Sequence, residues 1–163
     1  MSEVLLPGFG FRLGAGSERY ILLQFMQYTF EELYPGNNYH HLQEIIDQYW
    51  SDQTPFWLVS PQSDNQHFVG CLWLGTAIDQ VTGEAYTHLF VVYVTPKYRR
   101  QGLGTALLRR AEQWAVQQGN PQIGLQVFAH AQAARSLYEK LGYAPRALLL
   151  MKSVKQPERD GML

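Results

Sequence analysis

Residues Val92 to Leu108 read VYVTPKYRRQGLGTALL, and this stretch decides the fold. A β-branched run ends at Thr95-Pro96, two arginines follow, and Gly102 and Gly104 open an apolar helical pattern. Leu103, Ala106, Leu107, Ala111, Trp114 and Ala115 recur at helical spacing until Gly119-Asn120-Pro121 stops them. A strand therefore feeds a helix through a basic turn. The start of a helix presents unpaired N–H groups and a partial positive charge, which suit a phosphate. Glycine removes the Cβ that would hold phosphate oxygens off the backbone, and Arg99, Arg100 and the N–H of Gln101 add donors. The Walker pattern is absent, because Thr105-Ala106-Leu107 follows Gly104. The dinucleotide fingerprint fails as well, with Leu107 where its third small residue belongs. Two glycines by themselves are explained better by a tight turn with solvated arginines.

Working outward, a helix is expected from Ser17 to Tyr34, with Ser17 as its N-cap. Pro35-Gly36-Asn37-Asn38 breaks the chain, and a second helix runs from about His40 to Trp50 with Leu42, Ile45, Ile46 and Tyr49 inward. Strands follow at Phe56–Ser60, His67–Ile78 and Tyr86–Val94, the last continuous enough to be covered on both faces. After the glycine turn and its helix come a short strand, Ile123–Phe128, and a helix whose inner face is Ala134, Leu137, Tyr138 and Leu141. A final strand, about Tyr143 to Met151, leads into a polar tail expected to be loose. A meander followed by a strand–helix–strand crossover implies an α/β fold: a mixed, mostly antiparallel sheet with helices on both faces. One domain is expected over residues 1–152, with 153–163 as the flexible tail.

The 163 residues are 46% apolar and 13% aromatic, enough for a real core. Thirteen basic residues against fourteen acidic ones argue against a dedicated nucleic-acid binder, so any phosphate site is local. A lone cysteine, Cys71, excludes an intrachain disulfide framework. The opening MSEVLLPGFGFRLG lacks the features of a signal peptide, and no apolar run is long enough to cross a bilayer. A cytoplasmic protein without membrane partners is the expectation.

The glycine turn does not stand alone. V-x-V-T-P-x-Y-R-R-Q-G-L-G-T-A-L-L resembles the pyrophosphate loop of the GNAT N-acetyltransferases, with Arg99, Gly102 and Gly104 as its R/Q-x-x-G-x-G/A core. One strand later, FAHAQAARSLYEKLGY (Phe128–Tyr143) is similar to the superfamily's second signature, A-x-x-L-Y-x-K-x-G-[FY]. The resemblance covers Tyr86 to Met151; the first half matches only in its order of elements. It implies a sheet splayed between two parallel strands, with the pantetheine arm of acetyl-CoA in the gap. By resemblance, the backbones of Val92 and Val94 pair with that arm, and amides from Arg100 through Gln101, Gly102, Leu103 and Gly104 to Thr105 hold the pyrophosphate. The implied activity is acetyl transfer from acetyl-CoA to a primary amine of a small molecule or peptide, by direct attack through a tetrahedral intermediate. The cosubstrate is acetyl-CoA, with no metal, and a homodimer is compatible with the family.

Such a transfer needs a neutral amine, and deprotonating a lysine-like amine at pH 7 costs about 4.6 kcal/mol. Tyr138 matches the family tyrosine near the thioester sulfur, so its phenol is the candidate acid and also a cofactor contact; a core tyrosine at helical spacing is the plainer reading. The base is open. The positions where many relatives carry a carboxylate here hold Phe90 or Val91, and neither takes a proton. His88 has a suitable ordinary pKa, Tyr86 and Glu84 stand further up the strand, and a water chain is the remaining route. Ala131 replaces the family's usual Asn, which removes one side-chain contact. The first two helices roof the acceptor pocket in this architecture, making Tyr34, Tyr39, His40, Trp73 and Tyr86 its candidate lining. Cys71, in an apolar strand, is expected to be an inert buried thiol, His40-His41 lack a third metal ligand, and Arg109-Arg110 form a solvated helix face. The missing carboxylate and Ala131 keep a second reading open, a non-catalytic CoA-binding or sensing module.

Overall fold

The computed structural model describes residues 1–154. Six strands form one sheet in sequence order: β1 (Glu3–Leu6), β2 (Phe9–Leu13), β3 (Phe56–Pro61), β4 (Gly70–Ile78), β5 (Ala85–Val94) and β6 (Ile123–Leu125). Neighbours are antiparallel except for β5 and β6, which run parallel. The four α-helices are α1 (Arg19–Leu33), α2 (Leu42–Tyr49), α3 (Leu103–Gln117) and α4 (Gln132–Lys140).

The alternation of β-strand side chains splits the core into two layers. Above the sheet, Leu22, Phe25, Leu42 and Ile46 of α1 and α2 close over Phe56, Leu58, Cys71 and Trp73. Below it, Leu103, Leu107, Leu108 and Ala111 of α3 cover Phe11, Val59, Leu72, Leu74 and Leu89, with Leu137, Tyr138 and Leu141 of α4 packed alongside. The apolar stripe that follows the glycine turn is thus the face that α3 buries.

Several expectations are corrected. The chain begins with two strands outside the expected order, joined through Pro7-Gly8, a hairpin turn signal between EVLL and FGFRL. Ser17 does not cap α1: it lies in a short 3-10 turn, Gly16–Glu18, and the Glu18 carboxylate accepts from the Ala15 N–H at 2.8 Å and from Arg12. The Arg12 guanidinium holds the Glu18 carboxyl below its ordinary pKa. On α2, Leu42 and Ile46 face inward, whereas Tyr49 is 45% exposed. Arg110 is not a solvated surface residue, since it donates to Glu3 Oε2 at 2.8 Å and to the Val4 carbonyl, tying β1 to α3. The strand expected at Tyr143–Met151 does not form, and β6 stops at Leu125 instead of Phe128. The expected loose tail lies outside the described residues from 155 onward.

The helix stop at Gly119-Asn120-Pro121 also serves the sheet. The Asn120 side chain is buried and donates to Thr87 Oγ1 of β5 at 2.9 Å. Asn120→Ala strands the buried Thr87 hydroxyl and is expected to cost about 1–3 kcal/mol, read as a lower denaturant midpoint at unchanged slope.

Candidate active site

Parallel pairing of β5 and β6 lasts for only three residues, ending at Leu89↔Leu125. Beyond that point the strands part. Among the described residues, Phe90 to Val94 continue β5 with no strand beside them on that edge, while the backbone leaves β6 toward α4.

At the end of β5 the chain makes a short 3-10 turn (Pro96–Tyr98) and enters the glycine turn. Arg100 has φ 63° and Gly102 φ 88°, so two residues of three are left-handed. Such alternation turns successive N–H groups into one concave anion-binding surface. Among the described residues, the N–H groups of Arg100, Gln101, Gly102, Leu103, Gly104 and Thr105 meet no backbone or side-chain acceptor, and the next amide, Ala106, begins the helical ladder at 3.0 Å from the Gly102 carbonyl. Leu103, only 2% exposed, pins the turn into the lower core.

The two glycines act for different reasons. Gly102 supplies the left-handed backbone, and its absent Cβ faces space with only Leu6 nearby, at 3.7 Å. Gly104 lets α4 approach, because a Cβ there would lie 3.2 Å from Leu137 Cδ2. The missing Cβ of Gly104 thus has a packing use, while its N–H remains in the acceptor-free row.

Arg99 is likewise occupied. Its guanidinium donates to both Glu32 oxygens at 2.8 and 2.9 Å, its Nε donates to the Val94 carbonyl at 2.8 Å, and it lies over the Tyr93 ring. Tyr93 also donates to Glu32, at 3.1 Å. This brace fixes the last turn of α1 to the end of β5, with one donor on the Val94 carbonyl. Arg100 makes no ion pair or hydrogen bond among the described residues. Glu32 was missed because nothing in the α1 sequence distinguishes it from other surface carboxylates.

Tyr138 lies in the lower layer, half-buried beside α3 and 5.7 Å from the Tyr143 ring. Burial pushes its phenol up to about 12. His88 projects to the opposite face, 4.8 Å from the Phe90 ring and 6.2 Å from Tyr86. Burial pushes its imidazole pKa below the ordinary value, so it is neutral at pH 7. Acid and base candidates therefore stand on opposite faces of the sheet. The register shift between Trp73 and Leu74 leaves Phe90 bulged out of the β4–β5 ladder, stacked on Trp73 at 4.4 Å and near Tyr49 at 5.4 Å.

The expected acceptor lining divides. Trp73 is fully buried, with its Nε1 donating to the Thr54 carbonyl, so it supports Phe90 from below instead of lining a cleft. Tyr34 packs against Phe128 and His130, and His130 Nε2 lies 3.3 Å from the Leu33 carbonyl, so the roof helix is fastened to the segment after β6. The Tyr39 hydroxyl donates to carbonyls at the end of α1. Tyr39 and His40 do border a cavity of about 420 Å³, together with Gln27, Tyr28, Glu31, Asn37 and Asn38. Tyr86 lies apart from it, on the His88 strand. At α4, Ala131 occupies the N-cap position and makes no side-chain cap, consistent with the lost Asn contact. Cys71 is fully buried, and burial pushes its thiol far up. No helix among the described residues is long and apolar enough to cross a membrane.

Residues 23–143 match the acetyltransferase (GNAT) family. An uncharacterized N-acetyltransferase of Bacillus subtilis is 29% identical over 119 residues, which cover 69% of this chain and 75% of that protein. A mycothiol acetyltransferase of Kocuria rhizophila is 31% identical over 102 residues, covering 63% of this chain but only 34% of its own length. Among solved structures, a putative acetyl transferase from Pyrococcus furiosus superposes with a TM-score of 0.72 at 21% identity, covering 90% of this chain and 99% of that one. An aminoglycoside N-acetyltransferase, AAC(6')-Iy, in complex with CoA superposes at 0.65 with 13% identity, covering 90% and 99%. The splayed sheet, the glycine turn and these matches agree: the chain belongs to the GNAT acetyltransferase family and is an acyltransferase of that type.

Proposed function

We propose that the protein transfers an acetyl group from acetyl-CoA to a primary amine of a small molecule or peptide. The observation that carries this reading is the set of six acceptor-free amides from Arg100 to Thr105 beside the β5–β6 gap. The site fits the cosubstrate: it offers a concave row of donors at a helix start, one uncommitted guanidinium at Arg100, and no Cβ at Gly102. Bound acetyl-CoA supplies the activated acyl carbonyl. The backbone of Val92 lines the gap, while Arg99 holds the strand end and the roof helix together and leaves phosphate contact to the amides. Leu103 anchors the turn from beneath. His88 accepts the amine proton at its imidazole, directly or through one water, and Tyr138 donates its phenol proton to the departing sulfur from the other face. Tyr39, His40 and Glu31 give the acceptor pocket one carboxylate among aromatic groups, a setting for a cationic amine before it is deprotonated.

Calorimetric titration with CoA, followed by free-thiol release across a panel of amines, tests the reading. Heat on binding and thiol release that depends on amine support it; CoA binding without turnover on any amine favours a sensing module.

The pH profile tests the base. Burial disfavours imidazolium, so His88 stays deprotonated until the pH falls below its ordinary value of about 6.5. With His88 as base, kcat/KM is expected to decline only below about pH 6.5. His88→Ala is expected to lose about 10²-fold in kcat/KM and to remove that acid limb. An unchanged limb in the variant assigns the proton to a water chain.

A further inference from the structure

The last two turns of α1 cross the gap between β5 and the segment that follows β6. Residues two apart on a helix project about 200° from each other, so Tyr28 and Glu32 share one flank of α1, and Phe30 and the capping residue Tyr34 share the other. The first flank is fastened to the β5 lip. Glu32 accepts from Tyr93 at 3.1 Å and from Arg99 at 2.8 and 2.9 Å, and the Tyr28 ring lies 6.2 Å from that of Tyr93. The second flank is fastened to the other lip. The Phe128 ring meets Phe30 at 6.0 Å and Tyr34 at 5.2 Å, both edge-on, and His130 meets Tyr34 at 5.0 Å with its Nε2 3.3 Å from the Leu33 carbonyl. Three consecutive residues, Glu32, Leu33 and Tyr34, thus touch both lips.

These fastenings do little for stability. The Glu32 and Arg99 side chains are 41% and 39% exposed, and an ion pair so open to water contributes about 0–1 kcal/mol. What they fix is a distance. Among the described residues, no backbone hydrogen bond joins Phe90–Val94 to residues 126–131, so the end of α1 is what ties one lip to the other. That end is itself held, because the Tyr39 hydroxyl donates to the Phe30 carbonyl at 2.9 Å and its ring stacks on Phe30.

We propose that Glu32 and Tyr34 are positioning residues for the cosubstrate: they strap the lips of the gap at the spacing that the pantetheine arm needs, before the arm enters. The proposal rests on the reading that acetyl-CoA lays its arm in this gap. A gap already at its bound width loses less freedom when it is filled, and the affinity is higher for it. The two fastenings act in series. Cutting either one frees the lips, so cutting the second adds nothing.

The test needs only the full chain and CoA. Glu32→Ala with Arg99→Met unfastens the β5 lip without leaving a freed cation beside the glycine turn, and Tyr34→Ala with His130→Ala unfastens the other lip. Each pair is expected to weaken CoA about tenfold in calorimetric titration. The four changes together are expected to weaken it about tenfold as well, where independent effects would multiply to about a hundredfold. Tyr34→Phe keeps the ring between Phe128 and His130 and is expected to bind CoA as the wild type does. Should the alanine pair at Tyr34 and His130 fail to fold, Tyr34→Leu takes its place with the same expectation. Unchanged affinity in either pair overturns the proposal, as do losses that multiply in the combined variant or a tenfold loss in Tyr34→Phe. A wild type that binds no CoA removes the reading of the site itself, whereas a wild type that binds while the losses multiply removes only the strap.

Discussion

Replacing Gly102 with valine is expected to weaken CoA binding at least about hundredfold, with the circular dichroism of the fold retained. Gly102 sits at φ 88°, where a side chain costs about 1–2 kcal/mol per residue and a β-branched one is an outright outlier. The turn relieves that strain by rotating peptides away from the left-handed pair formed with Arg100, and the amides then cease to converge. Losing two charge-assisted hydrogen bonds at about 1.5 kcal/mol each removes about 3 kcal/mol, more than two decades of affinity. Gly119 provides the contrast. It is also left-handed, at φ 72°, but it ends α3 at the far side of the helix. Gly119→Ala is expected to lower stability while CoA affinity holds. Equal affinities for Gly102→Val and the wild type, measured by calorimetry, would sink the phosphate assignment.

The second large effect is expected at Tyr138. Tyr138→Phe keeps the ring against α3 and α4 and removes only the phenolic proton, so CoA affinity stays while kcat falls about 10²–10³-fold. The direction of the pKa supports a donor. With the phenol pushed up to about 12, it is protonated at neutral pH and available as a donor. A phenol this weak would be mismatched to a thiolate in water, where thiols ionise near about 8.5. A thiolate released into an equally desolvated site would be raised in the same direction, which narrows the mismatch. The buried Cys71 shows that direction in this protein. A Tyr138→Phe enzyme with wild-type turnover would leave Tyr138 a packing residue.

The elements that could be read from sequence are those whose pattern is local. The strand–turn–helix around Gly102, the stop at Gly119-Asn120-Pro121 and the inner stripe of α4 carry their periodicity and their breakers within one short window. The crossover that makes β5 and β6 parallel follows from their order. The N-terminal hairpin escaped because its strands are short and its Pro7-Gly8 turn was weighed against no partner; only β3, far along the chain, stabilises β2. The final strand is the converse case: its apolar run is a clear strand pattern, but a pattern does not supply a pairing partner, and Leu148 to Met151 stay exposed and outside any strand.

What the sequence determined by itself was the kind of site: bare backbone, positive charge and a helix start, since these depend on residues adjacent in the chain. Tertiary structure decided which of those groups are available. Arg99 pairs with Glu32, distant in sequence, and the missing Cβ of Gly104 makes room for Leu137. It also set His88 and Tyr138 on opposite faces of the sheet, and the splay between β5 and β6 is a relation between strands that leaves no mark in either one alone.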